Sequence, residues 1–334
     1  MKKDTYFPEI IGQNTVKKAL GFYIDGYKST NLIPHMMFTA PRGCGKTTMA
    51  TAMAKNLVDM GGRPKPLITV NCSTIKSLKQ FFNSFVIPYM NDRDASILFD
   101  ECSELPKDVT MALLTILNPN KDNRTTFSFE DYTVDFNFLQ QSFMFATTEA
   151  QSIFHALMDR CERLDLEEYT LDELGKITAI NLTDGEIEND ALVEIAPVLR
   201  GNARQAQKMA NNIKAYLASK NRSKFTIDDW NALKYALGIL PLGLSRIELQ
   251  VLRILCASKE CSLTNIAAKT GLTPECLRRD FEMYLQKHSL MEITTNGRSI
   301  TPKGQRYLKE LDAASKVTRK SVPVKIKLPK MTTK

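Results

Sequence analysis

The run Ala40-Pro41-Arg42-Gly43-Cys44-Gly45-Lys46-Thr47-Thr48 constrains this chain more than any other feature. It follows the apolar stretch Met36–Thr39 and opens a helical pattern, the strand–loop–helix setting in which a glycine-bearing loop cradles phosphate. Gly43 and Gly45 let the backbone curl so that its N–H groups face one anion. The helix N-terminus adds the positive end of its dipole. Lys46 is spaced to reach the β- and γ-phosphates of a nucleotide, and the Thr47 hydroxyl to ligate Mg²⁺. Cys44 and Thr48 complete the candidate phosphate-facing run. Ala40 stands where such loops usually begin with glycine, and it is the smallest replacement available. The competing reading, a glycine-containing loop that holds no nucleotide, is disfavoured by the strand before it and the helix after it.

A second motif answers the first. Ser96-Ile97-Leu98-Phe99-Asp100-Glu101 reads as a buried strand ending in two acids. Behind a phosphate loop, Asp100 is placed to hold Mg²⁺ through water and Glu101 to polarise an attacking water, so the pair points to hydrolysis and not to binding alone. Short apolar runs at residues 35–40, 67–72, 96–101, 142–148 and 163–169 alternate with helical patterns such as 47–59 and 107–117. That alternation predicts an α/β unit with a parallel sheet flanked by helices. Residues 125–129 and 132–138 break it: aromatic and polar residues alternate around Glu130-Asp131, which is hairpin patterning.

Beyond residue 170 the strand signals stop. Residues 171–181, 189–199, 203–219 and 226–237 read as helices, with Thr170 and Thr226 as N-caps. A Pro- and Gly-bearing stretch at 240–243 reads as a linker. Helices at 245–256, 262–270 and 274–287 precede two short strands around Asn296-Gly297, a strong hairpin signal. The expected domains are therefore 1–170 (nucleotide-binding core with a hairpin near 125–138), 171–240 (helical lid), 241–312 (three helices and a wing) and 313–334 (a basic, disordered tail).

The bulk properties exclude some classes. No window approaches the run of ~20 apolar residues that spans a membrane, and residues 1–7 are charged with no apolar stretch behind them, unlike a secretory signal. A cytoplasmic protein is expected. The seven cysteines form no C-x-x-C pair and the three histidines are scattered, so the reading is of reduced, buried thiols without a zinc site. The formal net charge of +8 suits a polyanionic partner, although many basic proteins bind none.

Further pieces, taken in order, carry a family resemblance. Ile10-Ile11-Gly12-Gln13 is similar to the adenine-side segment of AAA+ ATPases of the RuvB type, and Phe145-Ala146-Thr147-Thr148 resembles their sensor 1 strand. Leu157-Met158-Asp159-Arg160-Cys161 resembles the arginine-finger segment, and Arg200-Gly201-Asn202-Ala203-Arg204 resembles sensor 2. Tyr284-Leu285, Leu290-Met291, Asn296-Gly297-Arg298 and Tyr307-Leu308 follow that family's C-terminal winged helix. The resemblance runs from about Phe7 to Leu308. Glu149, Met158 and Cys102-Ser103-Glu104 depart from the family pattern.

The resemblance implies an AAA+ core with sheet order 5-1-4-3-2, a helical lid and a winged helix. It implies ATP and Mg²⁺ as cofactors, with Ile10 and Ile11 on the adenine side. Thr148, or alternatively Thr147, falls beside the γ-phosphate, Arg204 contacts phosphate in cis, and Arg160 reaches a neighbouring subunit's nucleotide in a homo-oligomeric, hexameric ring. It implies a DNA partner, the arms of a four-way junction or duplex, and an accessory protein of the RuvA kind docking on the hairpin; the alternative is that the hairpin's aromatic face packs on its own domain. The winged helix offers Arg298 at the wing and Arg278, Arg279 and Lys287 on the recognition helix as DNA contacts, with a merely solvated helix face as the other reading of Arg278 and Arg279. The function implied is an ATP-dependent motor driving Holliday junction branch migration in recombination and repair. Two other classes stay open: an AAA+ loader that places another ring on DNA, favoured by Asp159-Arg160-Cys161, and a regulatory ATP-binding DNA protein without catalysis.

Overall fold

The computed structural model describes residues 6–59, 61–183 and 185–320, with side chains described as far as 313. The chain divides into two compact units, Met1–Gly238 and Ile239–Lys334.

The strands of the first unit are β1 (Met36–Thr39), β2 (Leu67–Asn71), β3 (Ala95–Asp100), β4 (Arg124–Phe129), β5 (Tyr132–Asn137), β6 (Gln141–Thr147) and β7 (Glu162–Asp165). Five of them form one parallel sheet in the order β2-β3-β6-β1-β7. With the β4–β5 hairpin set aside, these are the second, third, fourth, first and fifth core strands, which is the expected 5-1-4-3-2 read from the other edge. The order places β6 between β1 and β3, so the phosphate loop and the acidic pair end up on either side of the Thr147-Thr148 strand. β6 is buried throughout and β3 everywhere but its last residue. Both sheet faces are covered, which is why these strands are near-continuous apolar runs. Side chains alternate between two cores: Met37, Ile97, Phe99, Phe143 and Phe145 on one face, Met36, Phe38, Leu98, Met144 and Ala146 on the other.

The β4–β5 hairpin turns through Glu130 and Asp131, with Phe129 paired to Tyr132 and Glu130 left-handed at φ 50°. Its aromatic face packs on its own domain. Phe127 and Phe129 stack on Phe82 with ring centroids 5.4 and 5.0 Å apart, and Val134, Phe136 and Phe138 are buried in the same core. Of the two readings of this face, self-packing accounts for most of it: Phe127 and Phe129 are half-buried against the core, while Tyr132 at the tip stays exposed.

After β7 the first unit ends in four α-helices: Leu171–Asn181, Asn189–Ile195, Ala203–Lys220 and Ile227–Leu237. Thr170 and Thr226 cap two of them, each in a reciprocal capping box with Glu173 or Asp229. The stretch expected as one helix over 189–199 tightens into a 3₁₀ turn at Ala196–Leu199, where Pro197 supplies no backbone donor. A short parallel pair, Glu186–Ile187 with Lys224–Phe225, was not anticipated.

In the second unit Ser245 caps Arg246–Ser258 and Ser262 caps Leu263–Thr270. The third helical stretch runs in three pieces: Pro274–Leu277, a wide π turn at Arg278–Glu282, and Met283–Lys287. The wing strands Met291–Thr294 and Gly297–Ile300 are joined by Thr295 and Asn296 and gain a third strand, Glu260–Cys261. Gly297 is therefore a strand residue and not a turn residue. A Cβ there would lie 2.7 Å from the Cys261 carbonyl oxygen, so the third strand's close approach requires glycine.

The tail expected to be disordered from residue 313 begins as helix, because Pro302–Lys320 is continuous; Tyr307 and Leu308 anchor it in the core and Asp312 pairs with Arg253 at 3.2 Å. The remainder of that tail, 321–334, lies outside the described residues. Cys256 is exposed, contrary to the buried-thiol reading, whereas Cys44, Cys72, Cys102 and Cys261 are buried.

Candidate nucleotide and DNA sites

The phosphate loop takes the shape its glycines permit. Gly43 and Gly45 adopt φ of 81° and 90°, a left-handed backbone that costs residues with a Cβ more than glycine. Space is also short: a Cβ on Gly45 would sit 2.7 Å from the Tyr169 hydroxyl, and one on Gly43 would collide with the Asn202 carboxamide. Helix Lys46–Ala54 begins directly behind the loop, with Gly45 as its N-cap.

Lys46 is buried, and its ammonium donates to the carbonyls of Ala40 at 2.9 Å and Pro41 at 3.1 Å. Burial lowers its pKa, Glu101, Cys44 and Asp100 pull it back up, and Arg204 lowers it further. Both acids and Arg204 therefore stand within electrostatic range of the ammonium, although Arg204 is 158 positions distant in sequence (204 − 46). The Thr47 hydroxyl donates to Asp100 Oδ2 at 3.0 Å. Glu101 is half-buried with a left-handed φ of 54°, and the Thr148 hydroxyl lies 3.4 Å from its Oε2. Thr147 is fully buried, its hydroxyl accepting from the Glu149 N–H at 3.0 Å. Geometry thus sets Thr148, not Thr147, beside Glu101.

On the other side of the loop, Ile10, Glu9, Thr48, Thr51 and Lys55 border a cleft of 270 Å³. Ile11 is half-buried but does not line it. Gln13, not singled out from sequence as a site residue, fastens this segment. Its amide donates to the Glu167 carbonyl at 2.7 Å and accepts from the Glu167 N–H at 3.0 Å, clamping the stretch between β7 and helix Leu171–Asn181. Burial, together with Cys44, holds the nearby Tyr169 hydroxyl at about 12. A glutamine amide matches the backbone's donor and acceptor, but nothing local in sequence identifies Glu167 as its partner.

Arg160 is not part of this cluster's hydrogen bonding. Its Nε donates to the Leu114 carbonyl at 3.0 Å and its Nη1 to the Ala156 carbonyl at 2.8 Å.

The winged helix departs from expectation at its principal residue. Arg298 lies on the second wing strand and not at an open tip, and its guanidinium forks onto Glu282 at 2.6 and 3.3 Å. The two side chains are 17% and 3% exposed. A carboxylate so buried requires a charged partner, and Arg298 supplies it. Arg298 is thereby withdrawn as a free DNA contact. Arg278, Arg279, Met283 and Ile293 line a 670 Å³ groove between the recognition helix and the wing. Arg278 and Arg279 are exposed, the latter paired with Asp280 at 2.9 Å, and Lys287 is exposed at the helix end.

No helix among the described residues is long and apolar enough to cross a membrane. The family profile of the ATPase family associated with various cellular activities (AAA) matches residues 36–169, and that of the RuvB C-terminal winged helix domain matches residues 241–309. The chain is 26% identical over 323 residues to the RuvB subunit of the Holliday junction branch migration complex of Campylobacter hominis, covering 92% of this chain and 89% of that protein. The same subunit from the Wolbachia of Brugia malayi is 26% identical over 90% of this chain and 91% of its own length. Among solved structures, the RuvB branch migration motor of Thermotoga maritima superposes with a TM-score of 0.72 at 24% identity, over 90% of this chain and 95% of that one. That likeness is one of fold.

Proposed function

This chain belongs to the RuvB-type AAA+ ATPases, an AAA module followed by a RuvB-type winged helix, and from that premise we propose that it is an ATP-dependent DNA motor driving branch migration of four-way junctions. The observation that carries the reading is the gathering of Lys46, Thr47, Asp100, Glu101, Thr148 and Arg204 at one phosphate loop. The glycine-shaped loop of residues 43–48 offers its N–H groups to the phosphates of ATP. Lys46 exchanges two carbonyl partners for β- and γ-oxygens. The adenine side falls to the Ile10 cleft, with Ile11 behind it. Thr47 and Asp100 bring two hard oxygens within 3.0 Å of each other, a donor set suited to Mg²⁺. They would hold the ion that arrives with ATP, and it supplies neutralisation of the phosphate charge. Glu101 orients the attacking water, Thr148 steadies Glu101, and Arg204 meets phosphate from the lid.

Among the described residues Arg160 donates to the carbonyls of Leu114 and Ala156 and not to the phosphate loop. By family analogy the chain assembles into a ring, a hexamer, in which Arg160 acts on the neighbouring nucleotide. Such fingers contribute on the order of 10³–10⁵ in rate. Arg278, Arg279 and Lys287 are the DNA contacts of this reading, gripping backbone without regard to sequence. An accessory protein of the RuvA kind would have to use the hairpin's outer face. The loader reading is favoured by one observation, the withdrawal of Arg298 from the surface, which weakens the wing's grip on a track.

The test is ATP-dependent dissociation of a synthetic four-way junction by the wild type, Glu101→Gln and Arg160→Ala. Dissociation that both substitutions abolish is expected. ATP hydrolysis without any junction or fork processing would transfer the function to the loader.

A further inference from the structure

Helix Ala203–Lys220 begins against the phosphate loop, and its first backbone donors are satisfied in an unequal way. The first N–H groups of any helix have no partner within it. Those of Arg204 and Gln205 are met by Asn202 Oδ1 at 2.9 and 3.2 Å, an ordinary side-chain cap. That of Ala203 is met by the carbonyl of Gly43, 2.9 Å away in the phosphate loop. The other half of the Asn202 carboxamide turns the same way: Nδ2 donates to the Arg42 carbonyl at 3.2 Å. The amide also fills the space where a Cβ on Gly43 would lie, with its atoms 2.0–2.5 Å from that position. One side chain thus has its oxygen in the lid helix and its nitrogen on the phosphate loop. The next residue but one is Arg204, within electrostatic range of Lys46.

We propose that Asn202 is a positioning residue for hydrolysis, a latch that couples the shape of the phosphate loop to the placement of Arg204. The inference deepens the proposed ATPase site and rests on the assignment of Arg204 to phosphate. The helix start is rigid, so holding Asn202 on the Arg42 and Gly43 backbone fixes where the Arg204 side chain begins. A loop that rearranges around phosphates moves the carbonyls the latch holds, and the lid follows. Capping alone requires only an acceptor oxygen, which serine supplies equally well. Only a side chain of asparagine's reach and donor capacity performs both tasks.

That division isolates the latch. Asn202→Ser keeps the cap and takes away the longer carboxamide N–H that reaches the Arg42 carbonyl, so the variant should melt with the wild type. Steady-state ATP hydrolysis is compared for the wild type, Asn202→Ser, Arg204→Ala and the double variant, with thermal unfolding beside each. The expected result is a fall of about tenfold in kcat for Asn202→Ser with KM for ATP within about twofold, since a misplaced Arg204 loses more stabilisation in the transition state than in bound ATP. In the serine background Arg204→Ala should cost much less than it costs alone, because the arginine is already misplaced. Additive losses, or an Asn202→Ser enzyme as fast as or faster than the wild type, would overturn the latch. The two ideas fail separately: if Arg204→Ala alone leaves hydrolysis unchanged, the assignment of Arg204 to phosphate is what fails.

Discussion

The Arg298–Glu282 pair shows how a residue type can be legible and its role not. An arginine beside a wing turn reads as a phosphate contact, but only the folded domain brings a buried carboxylate to within 2.6 Å of it. Arg298→Ala is expected to leave that carboxylate unpaired and destabilise the winged helix by about 3–5 kcal/mol, while the joint replacement Arg298→Met with Glu282→Leu should be close to neutral. Chemical unfolding distinguishes them, and equal losses would count against the pair. Arg278→Ala should instead leave stability alone and lower the slope of log affinity against log salt for duplex DNA by about 1. His35 offers a pH prediction in the core. It lies edge-on to Phe138 and Phe143, and burial holds its pKa down to about 4 from 6.5. The unfolded chain binds this proton more readily than the folded one. The stability contributed by the neutral imidazole is therefore complete above pH 6.5 and is lost as pH falls toward 4, by on the order of 3 kcal/mol. His35→Leu should flatten that part of the stability profile relative to wild type; parallel profiles would refute the assignment.

The hairpin and the capped helices divide by what holds them. Thr226→Ala should cost about 1 kcal/mol, the usual loss of a cap, with a little more from the partner bond to Asp229. Phe82→Ala is a different case, because Phe82 is the surface on which Phe127 and Phe129 stack. A loss of about 3–5 kcal/mol is expected, together with faster amide exchange across β4 and β5 than across β3. Uniform exchange in both would mean that the hairpin holds itself. Caps, strand runs and helix starts were legible because they depend on residues three or four apart. The π turn at Arg278–Glu282 and the strand pairing at Glu260–Cys261 were not, since they arise from distant packing.

For the proposed ring, the roles assigned to Arg160 and Glu101 make complementation the decisive experiment. Subunits carrying Arg160→Ala retain Glu101, and subunits carrying Glu101→Gln retain Arg160. Mixing two inactive preparations should restore hydrolysis wherever an intact acid meets an intact finger across an interface. No recovery at any ratio would exclude the trans role.

What the linear chain carried was whatever chemistry requires at short spacing: the phosphate loop, the acidic pair, the caps and the alternation that yields a parallel sheet. Residues within a turn of each other share one local geometry, so composition there is already structure. Pairings across long stretches carry no such signature. Gln13 finds Glu167, Asn202 finds Gly43, Arg298 finds Glu282 and the hairpin's aromatic face finds Phe82 only when the chain has folded. The residue types at each end suit their bonds, but only the fold decides which distant partner each one meets.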